Sequence, residues 1–260
     1  MTTPYWHKQS DQPLFKDLIW DKPDNKLYAG KLLIIGGNKF NFSIPAKAFQ
    51  YTKNAGIGVC KVLLPDSLQK SIGKHFEDGE FAPSNPSGGF SIKALPTWLD
   101  YAKWADGVLL TGDFGNNSET TILIERFIET YSGNLIINDS SLTGLGSNIQ
   151  FLLNRAKTTL VLSFKNFQKF NSKLNKTKPI TSKMPLLDFV TQLHEISQDY
   201  KFTLVVNFEN TIFVAHNGEV SSSELKTLDF TEISSYIAVW QIQNPDKILP
   251  ALTTALYELK

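Results

Sequence analysis

The chain has 260 residues, with 42% hydrophobic residues, 20% charged residues and a net charge of +1. The length allows one large or two small domains, and the composition is that of an ordinary globular protein. So balanced a charge gives no bulk field for nucleic acid or an anionic membrane, and no apolar run is long enough to span a bilayer.

The single cysteine, Cys60, lies in an apolar run and reads as a buried core residue that cannot form an internal disulfide. Residues 1–30 contain no apolar stretch of the signal-peptide kind, so a cytoplasmic protein is expected. His7, His75, His194 and His216 lack metal-ligand spacing to one another or to Cys60, and no metal site is expected. His194, beside Glu195 on a predicted helix, is expected at the surface.

Residues 1–29 are polar and interrupted by Pro4, Pro13 and Pro23. Leu14, Phe15, Leu18, Ile19 and Trp20 form one short amphipathic segment. The expectation is an N-terminal arm that packs on the domain or on a neighbouring subunit, followed by a single domain over residues 30–260. That domain opens with a buried-strand run at 31–35 and a Gly36-Gly37-Asn38 turn. Ser43 and Pro45 signal a helix start, residues 46–55 the helix, and Gly56 its stop. A second buried strand follows at 59–64. The unit is βαβ, with a right-handed crossover. Its glycine turn opens onto a helix N-terminus, which suits an anion such as phosphate and equally serves as a tight strand exit.

Further along, 66–72 reads as a short helix and 75–96 as loops around a short strand. Pro96 starts a helix to 104. A strand at 107–110 leads into the loop Thr111-Gly112-Asp113-Phe114-Gly115. Ser118 is read as the cap of a helix that repeats Ile122, Ile124, Phe127 and Ile128, with Gly133 as its stop. A strand at 135–137 runs into Asn138-Asp139-Ser140. Residues 149–153 read as helix and 160–162 as strand. Residues 164–184 read as a surface loop with local helix. Pro185 opens the next helix, and strands at 202–206 and 211–215 form a hairpin around Glu209-Asn210. His216-Asn217-Gly218 turns again, and helices at 233–242 and 248–259 close the chain.

This alternation predicts an α/β fold: a doubly wound, mainly parallel sheet flanked by helices, with a late antiparallel hairpin. The ligand crevice of such a sheet lies outside the carboxyl ends of its strands. The candidate ligand-binding residues on those loops are Gly36, Gly37, Asn38, Asp113, Gly115, Asn138 and Asp139. Each also suits a turn or helix cap. Lys165 would suit a phosphate or plain solvation.

The opening block, with Gly36, Gly37, Gly56 and Gly58, is similar to that of ADP/ATP-dependent NAD(P)H-hydrate dehydratases, carbohydrate-kinase-like proteins of the ribokinase superfamily. Blocks at 105–115, 134–142, 159–170, 204–215 and 235–257 follow in the family's order. The resemblance implies a ribokinase-like fold, a small-molecule or nucleotide ligand, ADP or ATP as cofactor if active, and a homo-oligomer.

The departures lie in the motifs that bind nucleotide or move protons. Ser43-Ile44 replaces the family's Gly-Ala, and residues 111–115 replace GPGLG. Asn138 and Ser140 stand for the two aspartates of LDADAL, with Asp139 between them. Lys165 and Gln168 stand for the His and Glu of TPHPGE, and Asn207-Phe208 for the Lys-Gly of LKG. Leu228-Asp229-Phe230-Thr231 stands where GSGD supplies the family's phosphate-facing helix N-terminus and acid/base aspartate. Leu228 and Phe230 would obstruct a backbone anion hole, and a threonine is no carboxylate base. Asp229, two positions away, is the catalytic candidate that remains. The primary reading is a divergent, non-catalytic relative with a binding or regulatory role. The alternative is an active dehydratase or carbohydrate-kinase-like enzyme with an atypical site. A Rossmann-type dehydrogenase would need a GxGxxG fingerprint that is missing here.

Overall fold

The computed structural model describes residues 3–73, 76–145, 149–153, 155–174 and 178–260. His75 lies outside the described residues. The chain runs β1 (Trp6–Gln9), α1 (Lys16–Trp20), β2 (Lys31–Ile35), α2 (Ser43–Asn54), β3 (Val59–Pro65), α3 (Gln69–Ile72) and β4 (Gly79–Ala82). It continues α4 (Leu95–Trp104), β5 (Gly107–Leu110), α5 (Ser118–Thr130), β6 (Asn134–Asn138), α6 (Gln150–Leu153), β7 (Thr158–Leu162) and α7 (Phe164–Asn171). Then come α8 (Leu186–Asp199), β8 (Thr203–Phe208), β9 (Thr211–His216), β10 (Glu219–Glu224), α9 (Phe230–Gln243) and α10 (Ile248–Glu258).

These strands join in one sheet, ordered β1-β10-β9-β8-β7-β6-β5-β2-β3-β4. β2 through β8 pair in parallel, and β9 is antiparallel to both β8 and β10. From β2 the chain steps out to β3 and β4, then returns to lay β5, β6, β7 and β8 on the other side of β2. The direction of winding therefore reverses between β2 and β5, which is where a doubly wound sheet opens its crevice.

The buried strands alternate between two helical layers. Leu33 and Ile35 join Trp98, Phe127, Phe167 and Phe189 on one face. Leu32 and Ile34 join Ala48, Ile237, Trp240 and Leu252 on the other. Cys60 is 4% exposed in the second layer, and burial pushes its thiol up to about 12, which makes it an inert core group.

The structure departs from the sequence reading in several places. β1 and β10 were not anticipated. The sequence of β10, EVSSSE, lacks the apolar alternation of a strand, yet Ser221, Ser222 and Ser223 are buried. Trp6 Nε1 donates to Ser222 Oγ at 3.0 Å, and Gln9 Nε2 donates to Ser223 Oγ at 2.9 Å. Polar pairing thus joins the burial of Val220 and the packing of Trp6 in binding this end of the sheet, and the serine run leaves hydrophobic periodicity little to read. The local helix expected within residues 164–184 is α7, capped by Ser163, but it is no surface feature, since Phe167 and Phe170 are buried. The caps also shift: α5 is capped by Asn117, while α2 starts at Ser43 with no side-chain cap. His194 is half-buried and stacks on Tyr5 at 3.8 Å, with Nδ1 hydrogen-bonded to the Gly218 carbonyl. Among the described residues, no helix is long and apolar enough to cross a membrane.

Candidate functional site

At the β2–β5 reversal the two strand exits touch backbone to backbone. A Cβ on Gly36 would lie 1.7 Å from the Thr111 carbonyl oxygen, so no side chain fits there. Gly37 has φ +80°, the left-handed conformation that glycine adopts without strain. Asn38, 5% exposed, joins the two loops. Its Nδ2 donates to the Asp113 carbonyl at 2.9 Å, and its Oδ1 accepts from Phe40 N at 2.8 Å and Asn41 N at 3.2 Å. Asp113 is exposed and folds one oxygen back onto Gly115 N at 2.7 Å. Gly115 has φ +78° and open space beside it.

Between these loops lies a pocket of about 250 Å³, lined by Asn38, Phe40, Ser87, Asp113, Gly115 and Asn117 among others. Phe40 is 82% exposed at this pocket. Asn117 Nδ2 donates to Ser87 Oγ at 3.0 Å, which ties the far wall together. Of the sequence-derived candidates, Asn38, Asp113 and Gly115 thus meet at one pocket, with Gly36 and Gly37 forming the strand exit beneath it.

Asn138 and Asp139 lie across the reversal at the end of β6. Asn138 is 1% exposed, and its side chain is fully engaged. Nδ2 donates to the Phe230 carbonyl at 2.7 Å and to Ser234 Oγ at 2.8 Å. Oδ1 accepts from Ser140 N at 2.8 Å and Ser140 Oγ at 2.7 Å. Ser140 Oγ in turn accepts from Gly112 N at 2.8 Å, which links this cluster to the β5 loop. Asp139 Oδ1 accepts from Ser163 N at 2.6 Å and so braces the turn between β7 and α7. Asn207 Oδ1 accepts from Phe164 N at 2.6 Å, and Phe208 packs against Phe189 with ring centroids 4.6 Å apart.

Asp229 is the N-cap of α9. Its Oδ1 accepts from Thr231 N at 2.8 Å and Glu232 N at 3.3 Å, and its Oδ2 accepts from Tyr51 OH at 3.1 Å. These donors are the orphan N–H groups that a helix start would offer to a ligand anion. Burial and the Asp229 carboxylate both push Glu232 above the usual carboxylate range. Burial, then the hydrogen bond to Asp229, raises Tyr51. The sequence reading began this helix at residue 233 and missed the cap. Asp229 followed three residues later by Glu232 is the capping-box spacing that would have found it. Among the described residues, no three His, Cys, Asp or Glu side chains gather to hold a metal ion.

No protein-family model and no curated protein matches the chain. Solved structures do match. A ribokinase-like superfamily protein from Enterococcus faecalis superposes with a TM-score of 0.73 at 15% identity, covering 99% of this chain and 87% of that one. A hypothetical protein from Streptococcus mutans gives 0.71 at 14% identity, over 95% and 88%. An ADP/ATP-dependent NAD(P)H-hydrate dehydratase from Bacillus subtilis, co-crystallised with ATP and Mg²⁺, gives 0.56 at 11% identity, over 90% and 79%. The resemblance read from the glycine pattern is borne out at the level of architecture: this chain has a ribokinase-like α/β fold.

Proposed function

We propose that this chain is a non-catalytic relative of the NAD(P)H-hydrate dehydratases, kept as a small-molecule binding or regulatory module that does not use ADP or ATP. One observation carries the reading: the Asp229 carboxylate takes the α9 N–H groups of Thr231 and Glu232. A nucleotide phosphate at that helix end would have to displace a covalently tethered anion, with Glu232 as a second carboxylate beside it. The residues present therefore do not fit a polyphosphate there. Asp229, the catalytic candidate, is employed as a cap.

The polar pocket between the β2 and β5 loops is the ligand site in this reading, with the exposed ring of Phe40 at its edge. The reading extends to a cytoplasmic homo-oligomer. Three large apolar side chains of the N-terminal segment are exposed, Trp20 at 86%, Leu27 at 86% and Tyr28 at 80%, which supports self-association.

The test is thermal unfolding with millimolar ADP or ATP. The expected result is no rise in melting temperature beyond assay scatter. Saturable stabilisation would overturn the reading, because a ligand that binds only the folded state must stabilise it.

A further inference from the structure

A second pocket, of about 370 Å³, opens at the end of the sheet opposite the crevice. Its walls come from residues just before β7 and β8, the end of β9, and the last turn of α9. Lys157, Lys201, His216, Gln241 and Asp246 are among the residues that line it, the two lysines exposed and Gln241 buried.

Three features mark it as a formed site. Gln241 is 1% exposed; its Oε1 accepts from Thr159 Oγ1 at 2.7 Å, while its Nε2 has no acceptor among the described residues. That nitrogen is not sealed from solvent, and its donors are open to the pocket that Gln241 lines. Lys157 has φ +55°, and it lies outside any hairpin turn, unlike Asn217, whose positive φ belongs to an Asn-Gly hairpin. Its carbonyl is held by Leu135 N at 2.9 Å and Arg155 Nη1 at 3.3 Å. Arg155 also donates to the carbonyls of Ile128, Tyr131 and Gly133, so this wall is fixed in place. Strained backbone of this kind persists only where its surroundings over-determine it. Finally, neither Lys157 nor Lys201 has a carboxylate partner among the described residues, and Asp246 is the one acid on the wall.

We propose that this pocket binds a small phosphomonoester. The Lys157 and Lys201 ammoniums suit a dianion as point charges, and the nearby guanidinium of Arg155 is spent on carbonyls. His216 Nδ1 is tied to Thr203 Oγ1 at 2.8 Å, which leaves Nε2 for a ligand. Burial lowers the pKa of that ring below the ordinary imidazole value. Gln241 Nε2 and His216 Nε2 then serve oxygens on the body of the ligand, and Asp246 serves its hydroxyls. A volume of about 370 Å³ lies within the small-molecule range of roughly 300–1,000 Å³. This site is separate from the crevice and does not depend on the function proposed for it.

The test is a titration of isotopically labelled protein with ribose 5-phosphate and, separately, inorganic phosphate at constant ionic strength. The expected result is saturable shifts of the Gln241 side-chain amide and the His216 ring, with ribose 5-phosphate the tighter ligand. Replacing both surface lysines (Lys157→Ala with Lys201→Ala) should weaken binding by about tenfold or more. The proposal is overturned by no saturable shift at millimolar ligand, by equal affinity for the two probes, by shifts confined to Gly37 and Gly115, or by a double variant that binds like the parent.

Discussion

The two halves of the crevice differ in how their polar groups are spent. On the β2–β5 side, one buried side chain, Asn38, braces the loops, and a pocket remains between them. Neither the second oxygen of Asp113 nor the side chain of Asn116 has a partner there among the described residues. On the β6–β8 side, Asn138, Asp139, Asn207 and Asp229 are all bonded to the wall itself. A polar side chain in a crevice can serve a ligand only with the bonding capacity that folding has left it. The same loops can therefore keep the architecture of a binding crevice while one half of it has become internal stapling.

The comparison can be broken by substitution. The largest effect is expected for Gly36→Val, because a branched Cβ would have to enter the Thr111 carbonyl. The variant should lose more than about 4 kcal/mol or fail to fold. Soluble yield and urea unfolding report it, and parental stability would show that the strand exits are not in backbone contact. Next is Asn138→Ala, which strands buried partners on α9 and at Ser140. Its cost should be about 2–4 kcal/mol, and the matching Asn38→Ala on the open side should cost less. The reverse order would mean that the open side is the more tightly stapled.

Asp229→Ala should cost about 1 kcal/mol, the usual value of an N-cap. A neutral result would remove the claim that the carboxylate is engaged by the helix. The smallest effect is expected for Glu232→Gln. The folded-state pKa of Glu232 is raised, so its ionised form costs stability at neutral pH. That cost fades as pH falls through the raised value and is gone below the ordinary value of 4.5. The variant should therefore melt slightly above the parent at neutral pH and level with it in acid. A difference that persists in acid would place the effect elsewhere.

The central sheet was legible because β2, β3, β5 and β7 are short runs of Leu, Ile and Val bounded by turns. The position of the crevice followed from that alternation. Two kinds of feature were hidden. β10 is held in part by serine hydroxyls that meet Trp6, Gln9 and Thr253, so its burial has little apolar signature. The role of Asn138 depends on partners far away in sequence, Phe230 and Ser234, which no local pattern encodes, whereas the cap at Asp229 is local and only its bond from Tyr51 is distant. Asn and Asp suit caps and ligands alike, and only the partner decides.

The pairing of β1 with β10 also fixes an order of events. Gln9 reaches Ser223 across a separation of 214 residues. β1 is therefore among the last strands that can find its place, since its partner β10 follows it only after the eight other strands of the sheet. Closing so long a loop is slow, and β10 must present an open edge in the meantime. Its short, serine-rich sequence makes that edge a poor template for a stray strand. In pulse-labelled hydrogen exchange during refolding, the amides of this pair should gain protection after those of β2, β3 and β5.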